Sequence, residues 1–236
     1  MPLSKRALVD KLALSGFGRR MEQVVMRRNV LLEWEYARVL SLAFAYARSE
    51  EVVGDYAEFG VWKGESFVDA IQAAERAGGP ARQFFAFDSF QGLPEVSGID
   101  AGRFKTGEFQ GGRPVFDATL REAGVPLDGV HVVEGFYDES LTTPEAAALG
   151  RVAIAWVDCD LYSSTVPVLD YLTPRLSQGA VLLFDDWFCF RGARDRGEAL
   201  ACSEWLGRNP HLSLVEWHKF SWAGQAFLVR RADEAY

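Results

Sequence analysis

Two apolar runs of strand length finish in acids: VAIAWVDCD reaches Asp158 and Asp160, and AVLLFDDW reaches Asp185 and Asp186. Acids at such ends are poor core material, and in an open parallel sheet ligands sit outside the carboxyl ends of the strands. If the two runs are neighbouring parallel strands, their carboxylates converge on one crevice. Mg²⁺ and Ca²⁺ take oxygen ligands, and Mg²⁺ commonly combines one or two carboxylates with waters and substrate oxygens. Like charges packed together also raise each other's pKa unless a cation keeps them ionised. Asp158, Asp185 and Asp186 therefore read as a hard-cation site beside an active centre. The competing reading of Asp186 is a turn cap. Asp160 reads first as the acid closing the loop into Ser163, Ser164 and Thr165, which are themselves good helix caps.

A second constellation is EFGVWKGES, from Glu58 to Ser66. Gly60 and Gly64 permit a tight strand-to-helix turn and a close backbone approach to a ligand, and Glu58 could receive a cationic group. A dinucleotide fingerprint would place a second close glycine where Trp62 stands. Asp88 ends QFFAFD, where nucleoside-binding α/β folds hydrogen-bond ribose hydroxyls. Its alternative is a cap on the turn Ser89-Phe90-Gln91-Gly92. His218 closes a later strand as a candidate general base or as a partly exposed hairpin histidine. Trp62, Phe90, Trp187, Phe188 and Phe190 could wall the crevice or belong to the core.

The elements that must position these residues follow from the periodicity. Residues 5–49 have apolar positions at helical spacing, with a break around Ser15-Gly16-Phe17-Gly18. They form a helical N-terminal cap over 1–50, expected near the crevice and followed by the main domain over 51–236. From Asp55 the pattern alternates: strand DYAEFGV, helix SFVDAIQAAERA, strand QFFAFD, an irregular stretch over 91–112, helix PVFDATLREAG and strand VHVVEG. The two acid-tipped strands follow, the helical TVPVLDYLTPRLSQG between them. A helix through ALACSEWLG and a hairpin of LSLVEWH and QAFLVRR close the chain. This pattern predicts a three-layer α/β sandwich on a seven-stranded, mostly parallel sheet with its last strand antiparallel. The glycine-rich stretch over 91–112 reads as a mobile lid or an inert insertion.

The 236 residues suffice for one large α/β domain, and the net charge of −8 disfavours general nucleic-acid binding. Nine Lys or Arg against five acids in residues 1–50 describe a solvated helical face or a docking surface. Three cysteines without CxxC spacing argue against a disulfide framework or structural zinc and fit a reducing compartment. No run approaches the about 20 apolar residues of a membrane span, and no signal-peptide core is evident. The expected location is the cytoplasm. The apolar N-terminal helices are compatible with a homodimer.

Taken together, EFGVWKGES, FAFDSFQGLPE, VVEGFYDESL, WVDCDLYSST and LLFDDW resemble the macrocin O-methyltransferase family from about Gly54 onward, with Gly197-Glu198-Ala199 also in keeping. The resemblance implies a class I S-adenosylmethionine-dependent, Rossmann-like fold. It also implies a metal-dependent transfer of methyl to a hydroxyl, in this family a sugar hydroxyl of an antibiotic or related secondary metabolite. Carried over by position, Glu58 and Gly60, with Ser66 beside them, would hold the methionine part. Asp88 and Ser89 would bind the ribose, Gly135 and Phe136 would enclose the adenine, and Asp158, Asp185 and Asp186 would hold Mg²⁺ or a similar ion, Asp158 or His218 serving as base. Chelation by two hydroxyls would favour a vicinal diol. Lys63 stands where the family more usually has Arg, and residues 1–50 match poorly, although that region would cap the acceptor pocket. An NAD-dependent oxidoreductase and a non-catalytic S-adenosylmethionine or nucleotide sensor are the rival readings.

Overall fold

The computed structural model describes residues 30–234, with side chains from 34. Helix α1 spans Val30–Ser49, and seven strands follow: β1 Asp55–Phe59, β2 Phe84–Asp88, β3 Val130–Glu134, β4 Val152–Val157, β5 Leu176–Phe184, β6 Leu212–Phe220 and β7 Gly224–Arg231. Between them lie α2 Glu65–Ala77, α3 Arg113–Glu122, the single turns α4 Tyr137–Ser140 and α5 Pro144–Ala147, α6 Tyr162–Leu172 and α7 Gly197–Arg208. The strands make one sheet in the order β3-β2-β1-β4-β5-β7-β6. The first five are mutually parallel, and β7 is antiparallel to both β5 and β6.

The alternation of side chains along each strand splits the core into two layers. Phe59, Phe87, Val157 and Phe184 pack with Val168, Leu172 and Trp205 of α6 and α7. Tyr56, Trp156 and Leu183 pack on the other face with Leu40 and Phe44 of α1, Phe67 of α2 and Phe116 of α3. The central strand β4 is buried at every position, as a strand covered on both faces must be.

Two expected boundaries move. The segment expected to be helical up to Gly179 leaves the helix at Leu172, and β5 already starts at Leu176. Pro174 has no N–H with which to continue the helical ladder, Arg175 N–H turns back onto the Leu172 carbonyl at 2.8 Å, and Leu176 pairs with Val152 across a register shift. β1 ends at Phe59 because Gly60 turns to φ +90°. The helical expectation for residues 5–29, including the break near Gly16, lies outside the described residues. Among the described residues no helix is long and apolar enough to cross a membrane, and all three cysteines are free and buried.

Candidate active site

The carboxyl ends of β1, β2, β3, β4 and β5 open into one cavity of about 840 Å³, within the size range of ligand pockets. Gly60 is packed against the next strand: a Cβ there would lie 1.9 Å from the Asp158 carbonyl oxygen. Only glycine tolerates both that approach and the positive φ. The backbone then continues into the cavity wall, where Val61 and Trp62 N–H groups donate to Asp88 Oδ2 at 2.9 and 2.8 Å. Phe90 N–H donates to Asp88 Oδ1 at 2.6 Å. Asp88 thus ties the end of β2 to the β1–α2 turn and caps its own turn as well. Burial pushes its carboxyl up, against the pull of these three amides.

Gly60, Ser66, Asp88, Ser89, Gly135, Phe136 and Asp158, all singled out in the sequence, line the cavity. Glu58 does not. It is fully buried beneath the wall, where Oε1 accepts from Ser66 Oγ at 2.6 Å and Oε2 from the Tyr56 hydroxyl. Its pKa is pushed up to about 8, chiefly by burial. Glu58 therefore reaches the cavity only through Ser66, because its side chain alternates onto the α1–α2 face together with Tyr56. His218 is also off the cavity wall: it lies on β6, two strands from β5, with Arg38 Nη1 of α1 3.1 Å from its Nε2. Of the five aromatics expected to wall the crevice, only Trp62 lines it. Trp187 packs on Phe184 and Phe227, Phe90 on Phe116 and Phe190 on Phe104.

The acids regroup relative to the sequence reading. Oxygens of Asp158, Asp160 and Asp186 lie within 4.8 Å of one another. Asp160, expected to close a loop, has φ +58° and is buried beside Asp186. Asp185 also lines the cavity but is drawn toward α1, its Oδ2 accepting from the Tyr36 hydroxyl at 3.0 Å. Asp185 Oδ1 and Asp186 Oδ2 are buried without a hydrogen-bond partner. Burial first, then the neighbouring acids, push Asp158, Asp160 and Asp185 well above the usual carboxylate range. Burial also raises Asp186, opposed by hydrogen bonds from Cys189 and Asp160 and by the Arg103 charge. Orphaned carboxylate oxygens in a crowded acid cluster suit a hard divalent cation, which would keep the set ionised.

Several functional positions were not legible beforehand. Glu198 of α7, fully buried, accepts the Cys159 N–H at 3.2 Å and the Asp186 N–H at 2.9 Å, so one carboxylate holds both acid-bearing loops. Asp100 accepts the Tyr162 and Ser163 N–H groups at 2.6 and 3.2 Å, capping α6 from the irregular segment. That segment is tied down further by Arg196, which donates to the Ile99 carbonyl at 3.0 Å, and by paired backbone bonds between Leu93 and residues 107 and 108. It lines the cavity with Leu93, Arg103, Phe104 and Phe109, while Tyr36 and Trp222 close in from α1 and the β6–β7 turn. Glu198 carried one sequence signal, its place in Gly197-Glu198-Ala199, and Asp100, inside the irregular stretch, carried none.

Residues 37–201 match the family model described as macrocin-O-methyltransferase. Among curated proteins, the chain is 33% identical over 147 residues, 59% of its length, to 8-demethyl-8-(2,3-dimethoxy-alpha-L-rhamnosyl)-tetracenomycin-C 4'-O-methyltransferase of Streptomyces olivaceus. It is 28% identical over 158 residues, 63% of its length, to mycinamicin III 3''-O-methyltransferase of Micromonospora griseorubida. The matches span 55% and 61% of these relatives' own lengths. Among solved structures, the O-methyltransferase NovP superposes with a TM-score of 0.66 at 21% identity, covering 84% of this chain and 80% of that one. Likeness at that identity establishes the fold, a class I Rossmann-like sheet.

Proposed function

Because the chain belongs to the macrocin O-methyltransferase family, we propose that it transfers the methyl group of S-adenosylmethionine to a sugar hydroxyl of a secondary metabolite, aided by a divalent cation. The observation that carries this reading is the position of Asp158. It follows the strand whose backbone packs against Gly60, and it contributes to the acid cluster. A glycine-turn cradle and a cation-fitting set of oxygens therefore meet in one cavity.

In this reading Gly60, Ser66, Asp88, Ser89, Gly135 and Phe136 bind and orient the cofactor, whose sulfonium supplies an already activated methyl. Glu58 keeps Ser66 in place from beneath. Asp158, Asp160 and Asp186, with Asp185 beside them, would hold Mg²⁺ or a similar ion, which when bound supplies Lewis acidity to the acceptor hydroxyl. An acceptor with a neighbouring second hydroxyl, a vicinal diol, would suit a site of this kind. Asp158 takes the hydroxyl proton on a carboxylate oxygen. Tyr36 and the segment around Phe104 exclude water and align the acceptor oxygen with the methyl carbon, which is most of what an activated methyl donor requires. His218, on β6 facing Arg38, takes no part in the transfer.

Neither rival reading has comparable support. The turn holds Trp62 where a dinucleotide site needs glycine, and a sensor has no use for the acid cluster. Calorimetric titration of S-adenosylmethionine into the protein, with Mg²⁺ and with a chelator, tests the proposal. Micromolar binding of the cofactor, together with a Mg²⁺ isotherm that Asp186→Ala abolishes, supports it. Absence of S-adenosylmethionine binding overturns it.

A further inference from the structure

Around the mouth of the cavity runs a continuous series of rings and cations from three separate chain segments. Trp62 of the β1–α2 turn meets Phe109 edge to face at 6.1 Å, and Phe109 meets Phe104 at 6.3 Å. The guanidinium of Arg103 lies 4.9 Å from the Phe104 ring and 5.1 Å from that of Trp222 in the β6–β7 turn. Lys63 Nζ sits 4.0 Å over Trp62. All six residues line the cavity. Phe104 is buried, but Trp62, Phe109 and Trp222 remain 41%, 43% and 59% exposed.

Three large, exposed aromatics converging on one opening leave apolar faces that packing within the described residues does not cover, and such patches mark binding sites. The charge around them narrows what binds. Beyond the four acids assigned to the cation, six carboxylates, Glu65, Asp69, Asp88, Glu95, Asp138 and Glu139, line the cavity against two cations, Lys63 and Arg103. Both cations lie over rings, and neither is in an ion pair among the described residues. A nucleoside diphosphate would bring at least two negative charges into that acidic surround. A flat, neutral group would instead stack on the tryptophan faces and beside the guanidinium plane, both of which favour π surfaces.

We propose that the rim formed by Trp222, Arg103, Phe104, Phe109 and Trp62 is the subsite for the acceptor's aglycone. The sugar then reaches the acid cluster while attached to a flat aromatic group, not to a nucleoside diphosphate. This rests on the reading of the cavity as the acceptor site, and it adds where the remainder of the acceptor lies and its chemical class.

The test is binding by the full chain, followed by calorimetry and tryptophan fluorescence, with and without S-adenosylmethionine. The probes are matched 4-methylumbelliferyl and methyl glycosides of rhamnose and of glucose, and the thymidine diphosphate derivatives of the same sugars. The aryl glycosides should bind about tenfold more tightly than the methyl glycosides, the size of one or two aromatic stacks. Trp222→Ala and Phe109→Ala, both at exposed positions, should bring that ratio to within about threefold while S-adenosylmethionine affinity and the thermal midpoint stay unchanged. Equal affinity for aryl and methyl glycosides, no binding of either, tighter binding of the nucleotide sugars, or a ratio intact in both variants would each overturn the assignment. Cofactor binding is read in its own arm, so a failure of the methyltransferase reading shows there without touching the comparison of glycosides.

Discussion

The Tyr36 hydroxyl donates to Asp185 Oδ2 at 3.0 Å, so the first described helix holds an acid at the end of β5, 149 residues away. Tyr36 packs edge to face on Trp156 at 5.3 Å, which fixes its ring independently of the hydrogen bond. The bond orients one of the two central aspartates, and Asp185 Oδ1 remains without a partner. The acid end of the site is thus built partly by α1 and not only by the strands that carry the acids.

Tyr36→Phe keeps the ring packing and removes only the donor. The loss in stability should be about 1–3 kcal/mol, the usual cost of leaving a buried polar group short of a partner. Urea denaturation measures it, and a parallel Mg²⁺ titration should show weaker binding. An unchanged Mg²⁺ affinity would limit the tyrosine to a packing role.

Glu198→Ala removes the acceptor for both the Cys159 and Asp186 amides. Two buried N–H groups without partners should cost about 2–5 kcal/mol in total, with loss of Mg²⁺ binding as the two acid loops separate. Glu198→Gln retains one acceptor oxygen and should recover roughly half of the stability. Chemical denaturation of the three proteins side by side decides this.

Gly60→Ala places a methyl group against the Asp158 carbonyl at a backbone φ of +90°. The clash is with backbone, so no side-chain rotation relieves it, and the protein should lose about 3 kcal/mol or more. Calorimetry on the soluble fraction should find no S-adenosylmethionine binding. A stable, cofactor-binding Gly60→Ala protein would show that the strands around this turn can part.

Stability should depend on Glu58 with a definite sign. Burial raises its folded-state pKa from 4.5 to about 8, so between those values the folded chain keeps a proton that the unfolded chain has released. Raising the pH through that window favours unfolding, and the dependence levels off above about 8. Glu58→Gln should flatten this part of the slope and gain relative stability on the alkaline side, by a few kcal/mol at most by linkage (~1.4 per pKa unit). Urea midpoints collected across the window test this, and equal slopes in the two proteins would mean that Glu58 does not titrate there.

The acid cluster predicts a pH-dependent response to divalent ions. Asp158, Asp160 and Asp186 all have raised pKa values, each chiefly through burial, so an ion must displace protons to bind. The increase in thermal midpoint produced by Mg²⁺ should therefore be small in mildly acidic buffer and grow as the pH rises. Proton release measured by calorimetry in buffers of different ionisation enthalpy provides the second readout.

The amino-acid pattern alone dictates the sheet. Runs such as VAIAWV and AVLLF can satisfy both apolar faces only as strands covered on two sides, while glycines mark the turns and apolar positions three or four apart mark the helices between them. It also determined which strand ends carry acids, and therefore that Asp88, Asp158 and Asp186 would stand at the carboxyl edge where β2, β4 and β5 end. Where those acids point depends on long-range packing. Asp160 joins the cluster through a left-handed backbone, Asp185 turns toward a tyrosine on α1, and Glu58 faces down because its strand pleat pairs it with Tyr56. Tyr36, which holds Asp185, and Glu198, which holds the backbone at Cys159 and Asp186, come from helices and not from the strands that carry the acids. Periodicity reports which face of an element is buried; it carries no information about which distant donor a side chain beyond the end of that element will meet.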